Sequence, residues 1–310
     1  MRVLELFGGI GACTQALKRI GIDIEVVDYV EIDKYACASY NAINGTNFEP
    51  QDICEWDKSL EVDLIMHGSP CQDFSVAGKQ AGGDIGSGTR SSLMYETIRI
   101  VGKLRPKYVV WENVKNLLSA KHRHNFDAYL ETMKALGYTN YYQVLNAKDY
   151  GIPQSRERVF TISIRDDATE KYEFPKKRVL YQRVKDLLED EVDKKYYLDV
   201  TITQKETKTT TGCMQVGVLD IKGMDCVRRV YSIEGLCPTL TNMQGGNRQP
   251  KVLTALGVRK VTPKECWRLM GFDDESFEKA AEVNSNTQLY KQAGNSIVVN
   301  VLEEIFKNLF

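Results

Sequence analysis

The chain has 310 residues, 43% hydrophobic and 27% charged, with a formal net charge of −1. That composition is globular and excludes a disordered or fibrous chain, and its length fits one large domain or two smaller ones. No apolar run approaches the ~20 residues of a membrane span, and the N-terminus enters a glycine loop too early for a signal core, so a cytoplasmic protein with no membrane partner is expected. Residues 1–165 then alternate apolar strands with helical patterns. Strands are expected at 3–7, 25–30, 63–67, 108–111 and 159–164, and helices at 12–20, 34–44, 91–104 and 125–136. This order predicts an α/β fold with a doubly wound, mostly parallel sheet. Beyond residue 165 the pattern turns to charge, a Thr-rich run and Gly-rich turns, which predicts a second, smaller, mostly β or irregular domain. Residues 288–310 read as helical again, with Ile297, Val298, Val301, Ile305 and Leu309 on one face. The expected division is 1–165 plus 284–310 for the first domain and 166–283 for the second.

The eight cysteines form no CxxC pair, and His67, His122 and His124 do not complete a zinc spacing. Reduced thiols and no metal site are expected, with His122 and His124 on a solvated loop. The net charge by itself points to no nucleic acid. Between Lys222 and Arg268, however, nine basic residues face three acidic ones. Two readings fit: a surface for reversible phosphate contact, or a salt-bridged surface balanced by Glu189-Asp190-Glu191.

Four motifs carry chemistry. Phe7-Gly8-Gly9-Ile10-Gly11 follows the first strand and opens a helix, where backbone amides approach a ligand. It breaks the G-x-G-x-x-G fingerprint at Thr14, which disfavours a pyrophosphate cradle and an NAD-dependent oxidoreductase. Glu31, past the second strand, is placed to accept ribose hydroxyls, and Asp52 to accept from an adenine amino group. Together they describe a nucleoside pocket without a phosphate cradle, which suggests S-adenosylmethionine. Pro70-Cys71-Gln72 ends the strand at 63–67. It is either a nucleophile at the sheet's ligand-binding edge or a packed thiol. Glu112 at another strand tip is a general-acid candidate or a helix-capping carboxylate. Arg156 and Arg158 alternate with Glu157, so both are expected on one side, holding a carbonyl oxygen and orienting Glu112, or serving as surface salt bridges.

In this order, Phe7-x-Gly9-x-Gly11, Glu31-Ile32-Asp33, Asp52, Pro70-Cys71-Gln72, Glu112-Asn113-Val114 and Gln154-x-Arg156-x-Arg158 resemble the DNA cytosine-5 methyltransferases of the compact bacterial or phage kind. Arg259 to Phe272 and Gln292 to Asn300 extend the resemblance; residues 166–258 match only by position, as the variable target-recognition region. The resemblance implies a Rossmann-like methyltransferase fold and methyl transfer from S-adenosylmethionine to C5 of a flipped-out cytosine in a specific duplex sequence. Cys71 would add to C6, Glu112 would act at N3, and Arg158 with Arg156 would hold O2 and the local carboxylates. Phe7, Gly9, Gly11, Glu31, Ile32 and Asp52 would contact the cofactor. So would Ile53, Pro70, Leu93, Asn295 and Ser296. The glycine-rich stretch 72–90 reads as a closing lid, with Ser75 and Lys79 reaching phosphates. Arg228, Arg229, Thr241, Gln244 and Arg248 are expected to meet DNA. Double-stranded DNA is then the partner, with localisation at the nucleoid when bound, and a restriction endonuclease acting on the same site is a further candidate. The length suggests a monomer. Two alternatives remain open: a tRNA methyltransferase of the same fold, whose branch usually carries Pro-Pro-Cys-Gln-Pro-Phe-Thr where this chain has Ser69-Pro70-Cys71-Gln72-Asp73-Phe74-Ser75, and an inactive DNA-binding relative.

Overall fold

The computed structural model describes residues 1–70, 93–169, 171–210 and 212–310. Cys71, Ser75, Lys79 and the lid expected at 72–90 lie outside the described residues. In chain order the elements are β1 (Arg2–Leu6), α1 (Ala12–Arg19), β2 (Glu25–Val30), α2 (Lys34–Asn44), β3 (Leu64–His67), α3 (Met94–Leu104), β4 (Tyr108–Val114), α4 (Arg123–Ala135), β5 (Tyr138–Asn146), β6 (Gln154–Ser155) and β7 (Glu157–Arg165). There follow β8 (Ile202–Thr210), β9 (Cys213–Leu219), α5 (Asp225–Arg228), β10 (Arg229–Ser232), β11 (Cys237–Pro238), β12 (Lys251–Thr254), β13 (Gly257–Lys260), α6 (Pro263–Arg268), α7 (Asp274–Val283), α8 (Asn286–Asn295) and α9 (Val299–Leu309). The chain forms two compact units. One comprises Met1–Leu145, Glu157–Lys176 and Leu302–Phe310; the other comprises Asn146–Arg156 and Lys177–Val301. Residues 284–301, grouped with the first domain from sequence, thus cluster with the second unit.

The first unit is built on a sheet of order β2-β1-β3-β4-β7-β5. β1 runs parallel to β2 and β3, and β3 to β4, whereas β7 is antiparallel to β4. Side chains alternate between the faces. Leu4, Leu6, Ile65, Val109 and Trp111 join a core with Met94, Ile100 and Val101 of α3 and with Phe126, Tyr129 and Met133 of α4. Glu5, turned the other way, meets Thr14 of α1 and Tyr40 of α2. The helices therefore cover both faces, as the strand–helix alternation predicts. β5 went unread because it borders the sheet: most of its middle residues, Thr139 to Gln143, are polar and partly or fully exposed. His122 is buried rather than solvated, at the start of α4.

The second unit holds a five-stranded sheet, β13-β12-β10-β9-β8, together with α6, α7 and α8. Its interior contains an ion pair. Arg259 grips Glu265 with two hydrogen bonds of 2.8 and 2.6 Å, and both side chains are almost wholly buried. Glu265 also closes a capping box on α6. Its carboxylate accepts from the Thr262 N–H at 2.7 Å, and the Thr262 hydroxyl accepts from the Glu265 N–H at 3.2 Å.

The helix expected at 288–310 is two helices, α8 and α9, broken by an extended Ser296 (φ −75°, ψ 165°). The cause is Arg156. Its guanidinium donates to the carbonyls of Gly294 (3.1 Å) and Ser296 (2.8 Å), which therefore do not serve a continuing helix. A third bond reaches the Leu240 carbonyl at 2.8 Å. There α8 comes against the 238–248 loop: a Cβ built on Gly294 would lie 1.7 Å from the Thr241 carbonyl oxygen. Gly294→Ala is therefore expected to displace this loop and destabilise the protein by about 2 kcal/mol or more, the range of overpacking with backbone shift. Urea denaturation checks it; an unchanged midpoint would contradict this packing.

Candidate active site

In an open α/β sheet, ligands bind beyond the carboxyl ends of the strands, where the strand order reverses. Here the chain leaves β1 for β2 on one side and returns to β3 on the other. The loops after β1 and β3 therefore flank the switch point. The first is Phe7 to Gly11 and the second begins at Gly68-Ser69-Pro70, just ahead of Cys71.

The β1 loop is set by backbone conformations that suit glycine. Gly11 has φ +81°, and a Cβ there would come within 2.8 Å of the Tyr40 ring. Gly9 has φ +55° with open space around it, so a ligand can approach its backbone. The Gly9 N–H donates to Glu31 at 3.2 Å and the Asp33 N–H donates to the other Glu31 oxygen at 2.9 Å. Burial pushes the Glu31 carboxyl above its usual range, and these two donors counter it. Asp52 accepts from the Cys54 N–H at 2.9 Å. Ile32 is 69% exposed beside Glu31, and Ile53 is buried. Leu93 packs against the core next to α3. A fixed carboxylate, an exposed aliphatic side chain and an accessible glycine backbone fit the ribose, base and chain of a nucleoside. Asn295 and Ser296 lie in the second unit, at the end of α8.

Beneath the glycine loop, Glu5 is buried and accepts from the hydroxyls of Thr14 and Tyr40. Burial raises its pKa to about 7. A carboxyl whose folded pKa is raised contributes stability fully present below about pH 4.5 and lost as the pH rises through about 7. The loss is on the order of 3 kcal/mol. Glu5→Gln is thus expected to gain stability relative to the parent between pH 4.5 and 8. A pH-independent difference in chemical denaturation would refute the assignment.

On the catalytic side, β4 and β7 pair with Val114 opposite Arg158, which makes Glu112 the diagonal neighbour of Arg158 on the same face. Arg158 Nε stands 3.0 Å from Glu112 Oε1, with both side chains mostly buried. The Trp111 indole donates to the Ser69 hydroxyl at 3.0 Å, and Asn113 Nδ2 donates to the Ser69 carbonyl at 3.3 Å. β4 therefore presents Glu112 while Trp111 and Asn113 fix Ser69, two residues before Cys71. The strand-end carboxylate expected at Glu112 is in place.

Arg156 departs from expectation. Its guanidinium donates to the three carbonyls described above, all within the second unit. The strand breaks at Arg156, which ends the alternation on which the expectation rested. Much of the basic stretch 222–268 is also paired within the chain. Arg259 pairs with Glu265, Arg268 and Lys264 with Asp274, and Arg229 with Asp225. Arg228 donates to the Leu219 carbonyl at 3.0 Å. Of the residues expected to meet DNA, Thr241, Gln244 and Arg248 are exposed on one loop. Gln154, quoted in the motif but given no role from sequence, ties that loop down by accepting from the Leu240 N–H (3.0 Å) and donating to the Leu269 carbonyl (2.8 Å).

Comparison with known proteins identifies the family. The type II methyltransferase M2.ScrFI of Lactococcus lactis subsp. cremoris is 42% identical, with 100% of this chain and 99% of that protein covered. The type II methyltransferase M.HhaI of Haemophilus parahaemolyticus is 36% identical over 100% of this chain and 94% of its own length. The orphan methyltransferase M.SPBetaI of Bacillus phage SPbeta is 34% identical, with coverage of 100% and 97%. Two solved structures share the fold at low identity. The S. pombe Dnmt2 methyltransferase has a TM-score of 0.73 at 20% identity, covering 99% of this chain and 97% of its own. A DNA modification methyltransferase encoded within an E. coli prophage has 0.72 at 21%, covering 100% and 98%. The sequence profile of C-5 cytosine-specific DNA methylases matches residues 1–310, and on that match and the identities above the chain belongs to this family.

Proposed function

We propose that the protein methylates C5 of a cytosine flipped out of a specific double-stranded DNA sequence, with S-adenosylmethionine as donor and Cys71 as nucleophile. The observation that carries this reading is the pairing of Glu112 of β4 with Arg158 of β7, where Glu112's neighbours Trp111 and Asn113 fix Ser69, just ahead of Cys71. Phe7, Gly9, Gly11, Glu31, Ile32, Asp52, Ile53, Pro70 and Leu93 of the first unit would hold the cofactor. When bound, it supplies an electrophilic methyl group.

Cytosine C5 is a poor nucleophile. The Cys71 thiolate forms a bond to C6 while Glu112 holds N3 by a proton, so the ring's electron pair becomes available at C5. Arg158 keeps Glu112 aimed at the ring and neutralises charge beside it. After the methyl is accepted, the C5 proton leaves to water and the Cys71–C6 bond breaks, restoring thiolate and aromatic ring. Arg156 holds the Leu240 carbonyl and so positions the second unit's loop.

Thr241, Gln244 and Arg248 would read or hold the duplex, as would Ser75 and Lys79. The second unit would then be the target-recognition domain. A monomer at the nucleoid and a companion endonuclease of the same specificity complete the reading. An RNA substrate is not favoured: the matching profile is that of DNA methylases, and the Dnmt2 likeness speaks for the fold alone. The test is transfer of label from S-adenosylmethionine to unmethylated bacterial DNA and, in parallel, to total RNA, with 5-methylcytosine mapped at base resolution. Label at one short recurring DNA sequence is expected. Label in RNA alone would overturn the reading.

A further inference from the structure

Lys251 is a buried cation in the second unit. It opens β12 and is 1% exposed. Among the described residues it has no carboxylate partner. Its ammonium donates instead to two backbone carbonyls, that of Val227 at 2.7 Å and that of Asn247. These belong to different segments. Val227 lies in α5, which leads into Arg228 and Arg229. Asn247, with φ +54°, lies in the turn that exposes Gln244 and Arg248. Burying an ammonium without a counter-charge is costly. Burial and the facing Lys260 of β13 depress the Lys251 pKa to about 8, with Cys226 opposing the shift. A methionine or leucine would fill the same space without that cost, so the donors have a task that packing alone does not explain.

We propose that Lys251 is a positioning residue for DNA recognition: its ammonium clips the 244–248 turn, the segment proposed to meet the duplex, to the end of α5 and so fixes that turn's placement within the second unit. This rests on the second unit being the target-recognition domain. Removing the clip frees the turn without touching Glu112, Arg158 or the nucleoside site. A turn freed of this clip must be ordered when DNA binds, which is expected to cost about tenfold in affinity.

The test uses Lys251→Met, which keeps length and volume, beside Lys251→Arg, which keeps charge and donors. Expected for Lys251→Met is a KM for cognate duplex raised about tenfold and a smaller ratio of cognate to non-cognate binding. kcat at saturating DNA and S-adenosylmethionine affinity should stay within about twofold. Lys251→Arg should recover part of the loss. Independently, the parent protein's cognate preference should weaken between pH 7 and 9 as the ammonium deprotonates, which keeps the proposal falsifiable even if Lys251→Met does not fold. Unchanged KM and preference in Lys251→Met, or a flat pH profile in the parent, overturns it. A parent protein with sequence preference that does not change when residues 238–248 are exchanged would instead overturn the domain reading beneath it.

Discussion

Cys71→Ala is expected to abolish methyl transfer while leaving duplex binding and the overall fold intact. The thiolate is what turns C5 into a nucleophile. A loss of at least ~10⁴-fold in kcat corresponds to about 5.5 kcal/mol of barrier. Cys71→Ser should do no better, because an alcohol is scarcely ionised at neutral pH, whereas a thiol is partly so. Glu112→Gln is expected to be milder, about 10²–10⁴-fold, the range for one general acid, because an amide still donates to N3 without protonating it. Single-turnover kinetics with a cognate duplex, run beside a DNA-binding titration, checks the order of the three. Turnover of Cys71→Ala above background sinks the covalent route. Loss of duplex binding in the same variant would mean that Cys71 serves structure instead.

Much of this site was legible in the sequence because each motif is tied to a strand end, and strand ends follow from apolar runs. Phe7 to Gly11, Glu31, Pro70 and Glu112 sit where those runs stop, whereas Asp52 lies in the irregular segment between α2 and β3. The Glu112–Arg158 contact follows from antiparallel pairing once β7 is recognised as a strand. Arg156 was illegible for a physical reason. Its partners are backbone carbonyls 84, 138 and 140 residues away, and a carbonyl leaves no mark in the sequence. The same reason hid the break between α8 and α9, where the apolar period runs on but the carbonyls are claimed from outside. The basic stretch left two readings open because charge counting cannot separate a guanidinium facing solvent from one that grips a buried carboxylate, as Arg259 does. Lys251 is the extreme case, counted as surface charge yet almost fully enclosed.

Arg259→Met is expected to destabilise the protein by about 3–5 kcal/mol, a large part of the roughly 5–15 kcal/mol that holds a domain folded. The argument concerns what is left behind. Glu265 is completely buried and carries the N-cap of α6; it also accepts from the Glu189 N–H at 2.9 Å. Without the guanidinium its charge keeps these backbone donors but loses its counter-ion in an interior that solvates ions poorly. Neutralising the carboxyl should therefore repair most of the damage. In Arg259→Met/Glu265→Gln the amide oxygen still accepts from the Thr262 N–H, and no bare charge remains. The double variant is expected within about 1–2 kcal/mol of the parent, since a buried pair replaced as a whole is often close to neutral. Urea midpoints for the parent, Arg259→Met, Glu265→Gln and the double variant form a cycle that isolates the term. If the double variant is as unstable as Arg259→Met, the loss comes from packing around residue 259 and not from a stranded charge. If Arg259→Met alone is neutral, Glu265 is held by its backbone donors, and the pair is not what secures α6 to β13.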